Sequence, residues 1–79
     1  MKREWYKVEI TDTFCGEANY AWVRSYRVKA RSIRGAMAAV ARQYRGGFRL
    51  AWERGDDARY NLRGACVCAF VSFDDSQED

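Results

Sequence analysis

The sequence predicts an α+β domain: a four-stranded antiparallel sheet in the order β-β-α-β-β, with one helix packed on one face. Three observations carry this. Two long segments alternate apolar and polar residues around a turn, one later segment repeats its apolar residues at helical spacing, and strand-like segments return after it. One helix laid on one antiparallel sheet is the simplest arrangement that buries all of these faces together. The chain has 79 residues, and a chain of this size buries about 60–65% of the surface its unfolded form exposes, enough for one modest core.

The first alternating segment is 5–13, with Tyr6, Val8 and Ile10 on one side and Trp5, Lys7, Glu9 and Thr11 on the other. A turn over 16–19 follows, because Gly16 and Asn19 adopt positive φ at little cost. Alternation resumes over 20–31. Tyr26, Val28 and Ala30 read as the buried side, with Trp22 and Arg24 in line with them, and Arg27, Lys29 and Arg31 form a row toward solvent. Ser32 is a suitable N-cap for a helix over 33–45. Its stripe is Ile33, Ala36, Met37, Val40, Ala41 and Tyr44, with Arg34, Arg42 and Arg45 on the outer side. Gly46-Gly47 then stops the helix.

Phe48, Leu50 and Trp52 alternate as a third strand, 55–57 is a turn, and 59–63 reads as a return arm. "ACVCAFVSF", residues 65–73, is apolar on both sides, the pattern of a covered central strand or of a subunit interface. Tyr26, Phe48 and Trp52 are expected in the core, and Trp5, Tyr20 and Tyr60 are the expected exposed rings. The domain expectation is a single body over 1–73 with an acidic, disordered tail over 74–79.

Net charge is +3, but its distribution says more than its sum. Residues 1–73 hold fourteen bases against seven acids, while Asp74, Asp75, Glu78 and Asp79 end the chain without a base. Arg outnumbers Lys eleven to three. Guanidinium binds carboxylate and phosphate in two-pronged fashion and stacks on rings, so the bias points to an anionic partner.

The same composition excludes much chemistry. There is no His, which removes the usual general base and the commonest metal ligand. Ser25, Ser32 and Ser72 lack an imidazole to activate them, and the acids form no pair with acid-base spacing. Cys15, Cys66 and Cys68 fall one ligand short of a tetrahedral zinc site and read as buried structural thiols. No enzyme activity, metal or cofactor is expected. No uncharged apolar run is long enough to span a bilayer, and the N-terminus lacks an apolar leader core, so a cytoplasmic protein is expected. Basic residues interleave with aromatics at Trp22-Arg24-Tyr26-Arg27 and Arg49-Trp52-Arg54-Arg59-Tyr60, a combination suited to single-stranded nucleic acid.

The run "DTFCGEANYAWVR" (12–24), with Arg34-Gly35-Ala36 and "ARYNLRGACVC" (58–68), resembles a family of small bacteriophage and prophage accessory proteins. In size and element order the chain is also similar to anti-CRISPR proteins that inhibit type I interference complexes. The resemblance implies a non-enzymatic inhibitor in the cytoplasm of an infected bacterium, which blocks target DNA recognition by occupying a protein surface. On that reading the contact residues are Glu17 and Asn19 at the hairpin tip, then Tyr20, Trp22, Arg24, Arg27, Lys29 and Arg31. A secondary basic face comprises Arg34, Arg42 and Arg45. The alternative is a basic phage accessory protein that binds nucleic acid directly. The expected protein is a monomer or weak homodimer that makes no membrane contact.

Overall fold

The structure, a computed structural model, describes residues 3–44 and 46–74. Its elements are β1 (Glu4–Phe14), β2 (Glu17–Ala30), α1 (Ile33–Ala41), β3 (Phe48–Arg54), β4 (Asp57–Leu62) and β5 (Val67–Phe73). All strands join one antiparallel sheet in the order β2-β1-β5-β4-β3. The fold is α+β with one helix, but the sheet has five strands rather than four. The expected return arm is a full strand, β4, paired with β3 on one side and β5 on the other. Its alternation, Ala58, Tyr60 and Leu62 against Asp57, Arg59 and Asn61, begins inside the expected turn at Asp57, which is why the sequence reading understates it. The two-residue turn at Gly55 and Asp56 is tight enough to make β3 and β4 a hairpin.

α1 begins as expected. Ser32 is extended (φ −161°), and its Oγ accepts from Gly35 N at 3.0 Å, satisfying a donor that the first turn leaves open. The helix ends at Ala41 rather than at 45, and Gln43 N and Tyr44 N turn back to the carbonyls of Val40 and Ala41. Ile33, Ala36, Met37 and Val40 face the sheet and are buried. Each large member of that stripe contributes about 1.5–3 kcal/mol relative to exposure.

The helix packs on β2, β1 and β5. Beneath it lie Val8 and Ile10 of β1, Ala30 of β2, and Ala69 and Val71 of β5; Ala58 and Tyr60 of β4 complete the cluster. Tyr60, expected outside, is only 7% exposed, because β4 is an interior strand and that register position faces the helix side. Beyond the helix this face continues to Phe48 and Leu50, leaving a groove of about 280 Å³ between α1 and β3.

β5 is the middle strand of the sheet, the central-strand alternative of its two sequence readings: both of its edges are hydrogen-bonded. Cys66 lies before it in an exposed loop, and Cys15 is exposed in the β1–β2 turn, so only Cys68 is the buried thiol expected of all three. Burial pushes the Cys68 thiol above its ordinary pKa. Asp74, assigned to the tail, is anchored: its N–H donates to the Trp5 carbonyl at 3.0 Å. The rest of the tail and Arg45 lie outside the described residues.

Candidate functional site

Among the described residues the one helix covers one face of the sheet and no element covers the other. Successive residues alternate between faces, so the pairing registers fix what the open face carries. One row across it runs Arg27, Lys7, Ser72, Asp57, Arg54. The next runs Ser25, Glu9, Phe70, Arg59, Trp52, and the third runs Val23, Thr11, Cys68, Asn61, Arg49. Trp5 and Lys29 pair beyond the first row. Six bases therefore share this face with Glu9 and Asp57, and with Asp74 at the strand end.

The bases and rings of this face are in contact. The Arg27 guanidinium lies 4.3 Å and the Lys29 ammonium 5.5 Å from the Trp5 ring centroid. Arg54 sits 4.9 Å from Trp52, and Arg59 lies 5.6 Å from Phe70. Such contacts contribute about 0.5–1 kcal/mol each at exposed sites and orient the cations along the surface. Arg59 is held further: its Nε donates to Asn61 Oδ1 at 3.2 Å and its Nη2 to the Gly16 carbonyl at 3.1 Å. Arg27 pairs with Asp74 at 2.7 Å, and Lys7 with Glu9 at 3.8 Å. Arg34, on the helix, lies 4.0 Å from Glu53.

Trp52 corrects the core expectation. A bulge at Ala51 shifts the register between Leu50, opposite Tyr60, and Trp52, opposite Arg59. The extra residue carries Trp52 to the open face, where it is 38% exposed.

The arm bearing Glu17, Asn19 and Tyr20 is bent toward this face. Between Thr11↔Val23 and Thr13↔Ala18, Asp12 alone on β1 faces Asn19–Trp22 on β2. Asp12 organises that wide bulge: Asn19 Nδ2 donates to its Oδ2 at 2.8 Å and Ala21 N to its Oδ1 at 2.9 Å. The Asn19 bond above all holds the Asp12 carboxyl below its ordinary value of 3.8. Tyr20 sits in the left-handed region (φ 59°), and Thr11 Oγ1 donates to the Trp22 carbonyl at 2.8 Å. Folded this way, the hairpin end brings Gly16 onto Arg59, and Thr11 and Cys68 are fully buried at this margin of an otherwise open face.

The anticipated contact residues are thus divided among several places. Arg27 and Lys29 lie on the open face. Arg24 pairs with Ile10 and so belongs to the helix side, 5.9 Å from the Trp22 ring. Glu17 is exposed at the tip, Asn19 serves the bulge, and Tyr20 is 59% exposed. Arg31 follows β2 and, with Arg42, lines a cleft beside the helix; Arg34 rims the α1–β3 groove. The residues the sequence undervalued are Phe70, hidden in a doubly apolar strand, and Arg59 and Trp52, which were seen only as part of an Arg-aromatic run. Their signal was there: Arg49, Trp52, Arg54 and Arg59 do share one surface.

Among the described residues, no group of three or more His, Cys, Asp or Glu is placed to hold a metal ion. No helix is long and apolar enough to cross a membrane. Comparison with protein-family models, with curated proteins and with solved structures gave no match to this chain.

Proposed function

We propose that this protein is a non-catalytic binding module whose open sheet face holds single-stranded nucleic acid. One observation carries the reading: Trp5, Phe70 and Trp52 lie on a solvent-facing sheet, each with an Arg or Lys against its ring. Bases of a single strand stack on such rings, while the surrounding guanidinium groups neutralise phosphate. Phe70 and Trp52 are two strands apart in one row, about 10 Å at the ordinary strand spacing. Trp5 lies about four residues further along the neighbouring strand, so the three rings mark a diagonal path rather than one pocket. Duplex bases are already stacked on each other and would leave these rings unused.

The test is chemical-shift mapping with a labelled oligonucleotide of about 10 nucleotides, repeated with the matching duplex. Shifts confined to the open-face rows, and weaker with duplex, are expected. No shifts at millimolar single strand, or shifts confined to the helix side, would refute the reading.

A second reading, an anti-CRISPR inhibitor of a type I interference complex, is favoured by a different observation. The end of the β1–β2 hairpin exposes Phe14 (69%), Tyr20 (59%) and Trp22 (41%), apolar surface outside the path marked by Trp5, Phe70 and Trp52. Such clusters suit a protein partner. Co-elution with a purified type I effector complex, abolished by a Phe14→Ser/Tyr20→Ser variant, is the expected result; no co-elution of the wild type ends that reading.

A further inference from the structure

The open face is not the only basic surface. On the other side of β2, Arg3, Lys29, Arg31 and Arg42 surround a shallow cleft of about 620 Å³. Its floor is small and flat, formed by Ala30, Gly35 and Ala39. Among the described residues no acid lines it; the nearest in the ladder, Glu4, pairs with Ala30 and stays outside the lining. Arg3, Arg31 and Arg42 are exposed, and none of the three takes part in an ion pair among the described residues. Arg3, Arg31 and Arg42, grouped here without a carboxylate among the described lining residues, repel one another and lower stability, an arrangement that an arriving anion relieves.

We infer that this cleft is a phosphate-binding subsite that takes the backbone of a strand continuing off the open face. The inference rests on the reading of that face as a single-strand platform. Lys29 links the two places: its ammonium lies against the Trp5 ring on the open face, and the residue also borders the cleft at the β2 edge. It reaches both because β2 is an edge strand with no neighbour beyond it. A strand stacked on Trp5 therefore passes over the β2 edge beside Lys29 and meets Arg31 and Arg42. Small floor residues let the backbone approach, and a site without aromatic rings reads phosphate rather than base.

Two measurements test it. In the first, 15N-labelled protein is titrated with inorganic pyrophosphate and the amides of Ala30, Gly35 and Ala39 are followed. They shift in the wild type and remain still in Arg31→Ala/Arg42→Ala, whose substituted side chains are exposed and leave the fold intact by circular dichroism. Absence of shifts in the wild type, or equal shifts in the variant, overturns the inference whatever oligonucleotides do.

The second compares oligonucleotides of about 4 and about 10 nucleotides across a salt series. Single strands give a slope of log K against log salt of about −0.7 per phosphate neutralised. The variant is expected to bind the short strand like the wild type. For the long strand its slope is expected to be shallower by about 1.4, the share of two lost phosphate contacts. Equal losses at both lengths, or none at the longer, overturn the shared path. A short strand that fails to bind the wild type refutes the open-face reading instead, and the pyrophosphate result then decides the cleft alone.

Discussion

Phe70→Ala is the sharpest perturbation of the open face, because ring and charge separate cleanly there. Phe70 lies on the central strand β5 between Glu9 and Arg59, with the Arg59 guanidinium 5.6 Å from its ring. Removing the ring takes away one stacking platform, worth about 1–3 kcal/mol for a base, or roughly a 5- to 150-fold loss of affinity at 1.4 kcal/mol per decade. The cation does not leave with it. Arg59 keeps its bonds to Asn61 and to the Gly16 carbonyl, so the number of phosphates neutralised stays the same. Fluorescence anisotropy with a single strand of about 10 nucleotides, at several salt concentrations, is therefore expected to show a parallel displacement: weaker binding, unchanged salt slope. Phe70→Trp should restore most of the affinity, which a merely structural role for Phe70 would not predict. Binding within twofold of the wild type by a folded Phe70→Ala protein would refute the stacking argument. A changed slope would refute the separation of ring from charge.

Gly46→Ala tests the link between helix and β3: Gly46 has φ +92°, and an added Cβ would lie 2.8 Å from the Arg63 carbonyl oxygen. A loss of about 2 kcal/mol or more is expected, or a fall in Tm of roughly 8–16 °C for a domain of this size. Gly47→Ala, at φ +73° with nothing within 4 Å of the new atom, should lose about half as much. Asp12 makes the hairpin end acid-sensitive. Its folded pKa is lowered, chiefly by Asn19, so its contribution is complete above the ordinary carboxyl value and is lost as pH falls through the folded one. Amide exchange at Ala21 should accelerate in that acid window in the wild type and be fast throughout in Asp12→Ala; a pH-independent wild type would contradict the assignment. Removing residues 75–79 deletes three acids from a chain end whose Asp74 is fixed beside Trp5 and Arg27. Single-strand affinity should rise at low salt and match the full chain near 1 M salt, where screening reaches only about 3 Å; unchanged affinity at low salt would contradict it.

The parts of the fold legible in the sequence were those where one physical signal stood alone. Ser32 capped the helix as its type suggests, and the Ile33-Ala36-Met37-Val40 stripe became the buried face. Tyr26, Val28 and Ala30 did turn toward the helix side of β2. Where two signals competed, the pattern misled. Phe48, Leu50 and Trp52 alternate perfectly as letters, yet one bulged residue at Ala51 sends Trp52 to the opposite face from Leu50. Nothing in the local composition marks that bulge. Tyr60 and Arg59 are adjacent, and which of them is buried depends on whether 57–62 is an edge arm or an interior strand, a property of sheet order rather than of the segment. The structural bond of Asn19 was not legible either: its partner Asp12 lies seven positions away, and only pairing of β1 with β2 brings the two together.

The rings on the open face are not equivalent, and the difference follows from what already lies against them. Trp5 carries both Arg27 and Lys29, and Arg27 is further tied to Asp74 at 2.7 Å. A base arriving there must share or displace a well-anchored guanidinium. Trp52 is met by Arg54 alone at 4.9 Å, and Arg54 has no ion-pair partner among the described residues. At Phe70 the neighbouring cation is farther off, at 5.6 Å, and fixed by neutral acceptors, so it can meet a phosphate without first breaking a salt bridge. Breaking a charged pair is the larger obstacle, since hydrogen bonds to ionised partners are about twice as strong as neutral ones. On the proposed single-strand reading, a strand would engage Phe70 and Trp52 first and reach Trp5 only as its phosphates replace Asp74 on Arg27. On that reading the acid at the end of β5 would set the order in which the open face fills.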